Sequence, residues 1–184
     1  MFGFIDTLRM APSAIRHSAI ICTLDRPLAY ARLVQGLKGQ VDEIITVTEK
    51  GELAALRNQG ARRAAGTLLS FLDDDVVCAP TWGNGVRAAF RPGVVGVAGP
   101  AVIPPECLRH RDLFKYPILK WVYDQLFLDG RAHLPGHLTR AGTWTTGAVS
   151  DTCRYEGEVD FLEACNQTWD AQAFWSVGGY DESY

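Results

Sequence analysis

Three consecutive acids, Asp73-Asp74-Asp75, follow the apolar run TLLSFL at residues 67–72. Adjacent carboxylates repel one another and desolvate poorly unless a cation or hydrogen-bond donors offset them, so something positive is expected beside them. The run before them reads as a buried strand. That places the triplet at a strand's carboxyl end, where open α/β sheets bind ligands. Hard oxygen donors favour Mg2+ or Mn2+, and an ion there would bridge to a diphosphate, neutralising the charge that builds on it as a leaving group. In that reading the acids hold metal and do not act as bases. A solvated acidic turn or a helix N-cap cluster accounts for the triplet equally well, and the three residues alone do not separate the readings.

A second feature is Arg57-Asn58, which precedes the small residues Gly60, Ala61, Ala64, Ala65 and Gly66. Small residues let a helix approach a sheet closely, and an arginine carried on such a helix can meet a nucleotide phosphate bidentately. The plainer expectation is a solvated helix arginine, which is how Arg62 and Arg63 read.

The elements that must hold these residues follow from periodicity. Residues 18–23 (SAIICT) form a short apolar run closed by Asp25-Arg26-Pro27, the pattern of a strand buried on both faces. Leu28, Ala31, Val34 and Leu37 recur at three-residue steps, predicting a helix, and residues 42–48 (DEIITVT) predict a second strand. A helix over 52–66, weakened in its middle by Asn58 and Gly60, leads into the strand that ends at the triplet. A helix over 80–90 and a strand over 94–98 complete a β/α alternation, which implies a mostly parallel sheet with right-handed crossovers. Beyond Pro100 the alternation breaks down. Pro104-Pro105 opens a stretch with a packing helix expected over 117–128, loops over 130–158 and one more strand over 159–164.

Composition bounds the class. At 184 residues, one domain with a real core is expected, and hydrophobic and charged fractions of 47% and 21% exclude a disordered chain. A net charge of −3 and the lack of a Lys/Arg run give no support to nucleic-acid binding. Five cysteines, odd in number and never spaced as CxxC, argue for reduced thiols over disulfides or a structural zinc site. The first 17 residues are broken by Asp6, Arg9, Pro12 and Arg16 and read as a lead-in, not as a signal peptide. No stretch approaches the roughly 20 apolar residues that span a bilayer, so membrane contact is expected to be peripheral at most.

Four segments in order carry a family resemblance: SAIICTLDRP, LRNQGARRAAG, TLLSFLDDDV and FLEACNQTWDAQAFWSVGGYDESY. They resemble the T-x-N/D-R-P turn, the A-R-N-x-G helix, the D-x-D strand end and the later segment leading to G-G-F-D-E of family 2 glycosyltransferases, over residues 18–98 and 159–184. The resemblance implies a GT-A-type, Rossmann-like three-layer sandwich, a divalent metal (Mn2+ or Mg2+), a nucleotide-diphosphate-sugar donor and inversion at the anomeric carbon. Asp75 matches the metal ligand, with Asp73 in support. Asp73 and Asp74 match positions that meet the ribose and phosphates, and Thr23, Asp25, Arg26 and Arg57 match the nucleotide lining. Glu163 and Asn166, with Cys165 between them, match the acceptor side, although Asn166 also reads as a buried structural amide.

This chain departs from the family pattern in three places. An Asp-containing turn that reads the base is replaced by Thr48-Glu49-Lys50-Gly51, leaving Glu49 as its substitute. The connection over 51–56 is short, as though a strand were missing. The acidic pair that follows G-G-F-D-E and supplies the general base is expected to be absent, since the sequence ends at Tyr184. Asp181 and Glu182 are the remaining acids for that role, with a structural turn-capping role as the alternative. The expectation is therefore one domain with an acceptor-side insertion over 101–158, cytoplasmic or at the inner membrane surface. It would move a sugar, expected to come from a UDP-sugar, to a saccharide, lipid-linked or other hydroxyl acceptor. Two other readings stand beside it: a catalytically incomplete donor-binding domain, and a sugar-phosphate nucleotidyltransferase, which the lack of a Gly-rich phosphate loop disfavours.

Overall fold

Side-chain alternation along the first strand decides the layering. In β1 (His17–Cys22), Ala19 and Ile21 point to one face of the sheet and Ile20 to the other, and all three are buried. Ala19 and Ile21 pack with Leu72 of β3 (Leu68–Asp73) against Leu33 and Leu37 of α1 (Pro27–Leu37). On the opposite face Ile20 joins Ile45 of β2 (Glu43–Val47), Leu69 and Phe71 of β3, and Ala61 of α2 (Leu53–Arg63). Phe174 of α5 (Ala171–Ser176) closes that second core. Both layers follow from strands that are apolar on both faces, as their near-continuous apolar runs imply.

The computed structural model describes residues 15–99, 116–146 and 157–183. Its five-stranded sheet has the order β2-β1-β3-β7-β4, with β7 spanning Asn166–Asp170 and β4 spanning Gly96–Ala98. β1 pairs in parallel with both β2 and β3, whereas β7 runs antiparallel to β3 and β4. The expected mostly parallel α/β sheet is thus present. Because β1 lies between β2 and β3, the chain leaves it through α1 on one face and reaches β3 through α2 on the other. A crevice opens at such a reversal.

Gly60 sets how closely α2 lies on the sheet. A Cβ at this position would come within 2.4 Å of Ile20 Cγ2 and 3.2 Å of Val47 Cγ2. Asn58 and Gly60, expected to weaken this helix, leave it continuous, since one fits the sheet and the other is used in a tertiary contact described below.

Three expectations are corrected beyond residue 100. Residues 159–164 are not a strand; the strand is β7, which begins at Asn166. The apolar run instead ties down a loop, with Asp160 N donating to Gly136 O (2.8 Å) and Leu138 N donating to Asp160 Oδ2 (2.9 Å). Within the expected loop region, β5 (Pro135–Leu138) and β6 (Trp144–Thr146) form an irregular antiparallel pair, too short and too broken in register to leave a period. The helix α4 (Pro117–Phe127), expected to be a packing helix, has no buried residue, and Ile118, Trp121 and Leu126 are 76%, 63% and 65% exposed. Local contacts account for its end: Thr139 and Thr143 hydroxyls donate to Phe127 O, and Asp124 accepts from Ala132 N. Among the described residues no helix is long and apolar enough to cross a membrane. Cys22, Cys78 and Cys165 are free thiols. Most of the lead-in, Pro104-Pro105, Cys107, Cys153 and much of the 101–158 insertion lie outside the described residues.

Candidate functional site

The carboxyl ends of three parallel strands meet at one edge, where Cys22 stands in register with Val47 on one side and Asp73 on the other. An open cleft of about 580 Å³ lies there. Its walls are the Thr23-to-Arg26 turn after β1, Glu49 and Gly51 after β2, Leu53 and Leu56 of α2, and Asp73, Asp74 and Asp75. Sequence reasoning missed the two leucines as an apolar wall. Their three-residue spacing at the start of α2 was the available signal.

The triplet finds its expected positive charge within the protein. Arg26 Nη1 donates to Asp75 Oδ2 at 2.6 Å and more distantly to Asp74 Oδ1 at 3.4 Å. Thr23 Oγ1 donates to the other oxygen of Asp74, which is 9% exposed (2.7 Å). A turn follows, in which Val76 N donates to Asp73 O (3.2 Å). The next helix, α3 (Trp82–Ala89), has Thr81 at its N-cap, so the triplet is not a helix N-cap cluster. Asp75, with its side chain 57% exposed, presents oxygen to the cleft. Among the described residues no group of three or more His, Cys, Asp or Glu side chains is arranged to hold a metal by itself.

Arg57 stands behind Asp73, away from the cleft wall. It is 8% exposed, and its Nη2 donates to Asp73 Oδ1 (3.0 Å) and to Ala164 O (3.2 Å), while its guanidinium carbon lies 5.6 Å from the centre of the Tyr180 ring. The adjacent Asn58 pairs with the backbone of Tyr180 in both directions: Nδ2 donates to Tyr180 O (2.8 Å) and Oδ1 accepts from Tyr180 N (2.9 Å). Gly179, at φ 79°, is needed there, since its left-handed backbone brings it so close that a Cβ would lie 2.7 Å from Asn58 Oδ1. Arg62 is not simply solvated. It donates to Glu182 Oε1 (2.8 Å) and lies over Trp175. Arg57, Asn58 and Arg62 therefore bind the segment after α5 to α2.

The two acids considered as bases are occupied in that segment and lie outside the cleft lining. Glu182 Oε1 accepts from both Asn58 Nδ2 and Arg62 Nη2, and these bonds hold its carboxyl below the usual range. Asp181 Oδ1 accepts from the Ser183 hydroxyl and backbone N–H, with the same effect. A carboxylate held low is a weaker base. Glu163 differs: half-buried, it is pushed upward by desolvation. Its neighbour Cys165 accepts at its carbonyl from Asp73 N (3.3 Å), which brings residues 163–165 against the triplet. Asn166 Oδ1 accepts from Trp82 Nε1 (3.0 Å), a structural tie between β7 and α3. Glu49 lines the cleft with its carboxylate fixed, Oε2 accepting from Thr48 N and Oε1 from Gln59 Nε2. Hydrogen bonds, its own backbone N–H first and then those of Thr48 and Gln59, lower its pKa.

Residues 25–137 match the profile of glycosyl transferase family 2, more than half of the chain, and the chain belongs to that family. The match runs past residue 98, where the motif resemblance breaks off, and does not include residues 159–184. Family membership sets aside the nucleotidyltransferase reading. Among solved structures, the chain resembles the mannosyltransferase PcManGT from Pyrobaculum calidifontis in complex with GDP-Man and Mn2+, with a TM-score of 0.52 and 13% identity. The likeness covers 91% of this chain and 48% of that one, so this chain spans about half of that structure's length. At that identity the likeness concerns the fold, which is of the GT-A type. No curated protein matched the chain.

Proposed function

We propose that the cleft binds a nucleotide-diphosphate sugar and that the protein serves glycosyl transfer from it to a saccharide or lipid-linked hydroxyl acceptor. The observation that carries this reading is the convergence of the Thr23-to-Arg26 turn, Glu49 and the aspartate triplet on one cleft at the strand-order reversal. Glu49 is fixed by two donors yet keeps unused acceptor positions toward the cleft, which suits the N–H groups of a nucleobase. Thr23 and Arg26 hold Asp74 in place. Arg26, with its side chain 60% exposed, can exchange Asp75 for a phosphate oxygen, a partner its planar fork fits.

A divalent cation of the Mg2+ or Mn2+ kind would be held by Asp75, with Asp73 in support, since the exposed carboxylate of Asp75 offers the hard oxygens such an ion prefers. When bound, that cation neutralises the diphosphate as it leaves. The chain's own residues orient the donor and keep its phosphates beside Arg26. Because Asp181 and Glu182 are engaged elsewhere, neither suits the role of general base, which supports a second reading in which these residues bind donor without themselves supplying the base.

Calorimetric titration of UDP and GDP, with and without Mn2+, tests the proposal. A UDP-sugar is the donor expected from the motifs, and the fold relative was solved with GDP-Man, so both nucleotides are needed. Metal-dependent binding that Asp75→Ala abolishes is the expected result, and donor binding without transfer or donor hydrolysis would select the second reading. If neither nucleotide binds in the presence of Mn2+, the proposal fails.

A further inference from the structure

Helix α4 is tied to the chain by its polar side and presents its apolar side outward. At about 100° per residue, the apolar positions sweep roughly 240° of the helix from Trp121 round to Phe127, interrupted by Gln125 alone, and leave a narrow polar stripe of Lys120 and Asp124. Asp124 makes the tie: its carboxylate accepts from Ala132 N and its carbonyl from Gly130 N. Ile118, Leu119, Val122 and Leu126 on the outward arc are all exposed. A helix in a globular protein turns such an arc toward a core, so this one calls for a covering from outside.

The same surface continues onto the β5–β6 pair. Leu138 and Trp144 are cross-strand partners on one face, 59% and 60% exposed, whereas Thr145 on the other face is buried. At the end of α4 an open groove of about 410 Å³ joins the two, lined by Asp129, Arg131, Leu138, Thr139 and Arg140. Asp129 accepts from the Arg140 backbone N–H and from Nε, so both terminal nitrogens of that guanidinium remain unused among the described residues. Neither Lys120 nor Arg131 is in an ion pair among the described residues. On a chain of net charge −3, these cations are a local complement to anionic groups.

The shape of the arc decides between occupants. An 11-residue helix is only ~16 Å long, and one side of it falls well short of the roughly 800 Å² per partner of a stable protein interface. A second copy packed against one side would also leave much of the arc in water. Immersion in a bilayer interface covers all of it, and Trp121 and Tyr123 are side chains that suit that boundary. We propose that α4 and the adjoining groove dock the protein on an anionic bilayer, with the apolar arc among the acyl chains and Lys120, Arg131 and Arg140 at the lipid phosphates. This goes beyond the donor-binding reading and does not depend on it.

Flotation of the full chain with vesicles of phosphatidylcholine alone, and of an equal mixture of phosphatidylcholine and phosphatidylglycerol, tests the proposal. Binding to the mixed vesicles is expected, with the neutral ones bound roughly tenfold more weakly or less still. Trp121→Gln with Leu126→Gln should weaken binding to the mixed vesicles by roughly tenfold or more, and Arg131→Gln by about fivefold, with melting temperatures unchanged. Four results would each overturn the proposal: no binding to the mixed vesicles, equal binding to both compositions, binding that the double substitution leaves intact, or a drop in that variant's melting temperature. Without lipid the arc gives open-ended self-association. A discrete dimer that the double substitution abolishes would instead make a second copy the occupant and would also overturn it. Nucleotide binding enters none of these measurements, so the donor reading stands or fails separately.

Discussion

At the scale of single residues, the chain separates polar groups that serve the cleft from those that serve the sheet. His17 belongs to the sheet. It is fully buried at the start of β1, stacked on Trp82 at 5.2 Å, with Nε2 2.6 Å from Ser70 Oγ. Desolvation, helped by Arg87 and opposed by Asp42, lowers its pKa to about 4. The folded pKa is below the unfolded one, so the unfolded chain binds the extra proton between them. Stability is therefore expected to fall as pH drops from about 6.5 toward 4, by ~3 kcal/mol over that window. Melting temperature followed against pH checks this, and His17→Gln should flatten that part of the profile. On the cleft side, Thr23→Val removes the hydroxyl that holds Asp74 and leaves a nearly buried carboxylate short of a donor. A loss of about 1 kcal/mol of stability and weaker nucleotide binding are expected, read by denaturant unfolding and calorimetry.

Helix α2 is the element on which the site depends. One of its faces rests on the sheet through Gly60 and Ala61, and the residues that precede them, Arg57 and Asn58, reach Asp73 and Tyr180. Placing a methyl group at Gly60 would push against Ile20 and Val47, two branched side chains inside a closed core, and so would lift the helix. Gly60→Ala is expected to destabilise the protein by about 1–3 kcal/mol despite alanine's better helix propensity, and to lower nucleotide affinity through the displaced Arg57. Unfolding curves and titration on the same variant would show both effects. A stable variant with weakened binding only would mean that the sheet accommodates the methyl.

For the whole molecule, the main feature outside the cleft is the apolar surface of α4, which the described residues leave uncovered. Tyr123 stacks on Phe127 at 5.1 Å, so the helix has internal order, but it contributes nothing to either core. Trp121→Gln with Leu126→Gln is therefore expected to leave the melting temperature unchanged and to reduce self-association in sedimentation velocity. A fall in melting temperature would show that the helix face is buried in solution. The sequence by itself determined the order of elements through β4, the placement of the triplet at a strand end and the family, because strands buried on both faces leave continuous apolar runs and strand-end turns leave local signatures. Only the tertiary structure decided that β7 inserts antiparallel between β3 and β4, that residues 135–146 pair, and that Arg57 backs Asp73 beneath the cleft. These depend on contacts between residues far apart in the chain, such as Arg57 with Ala164 and Asn58 with Tyr180, and no local period encodes which distant segment will supply the partner.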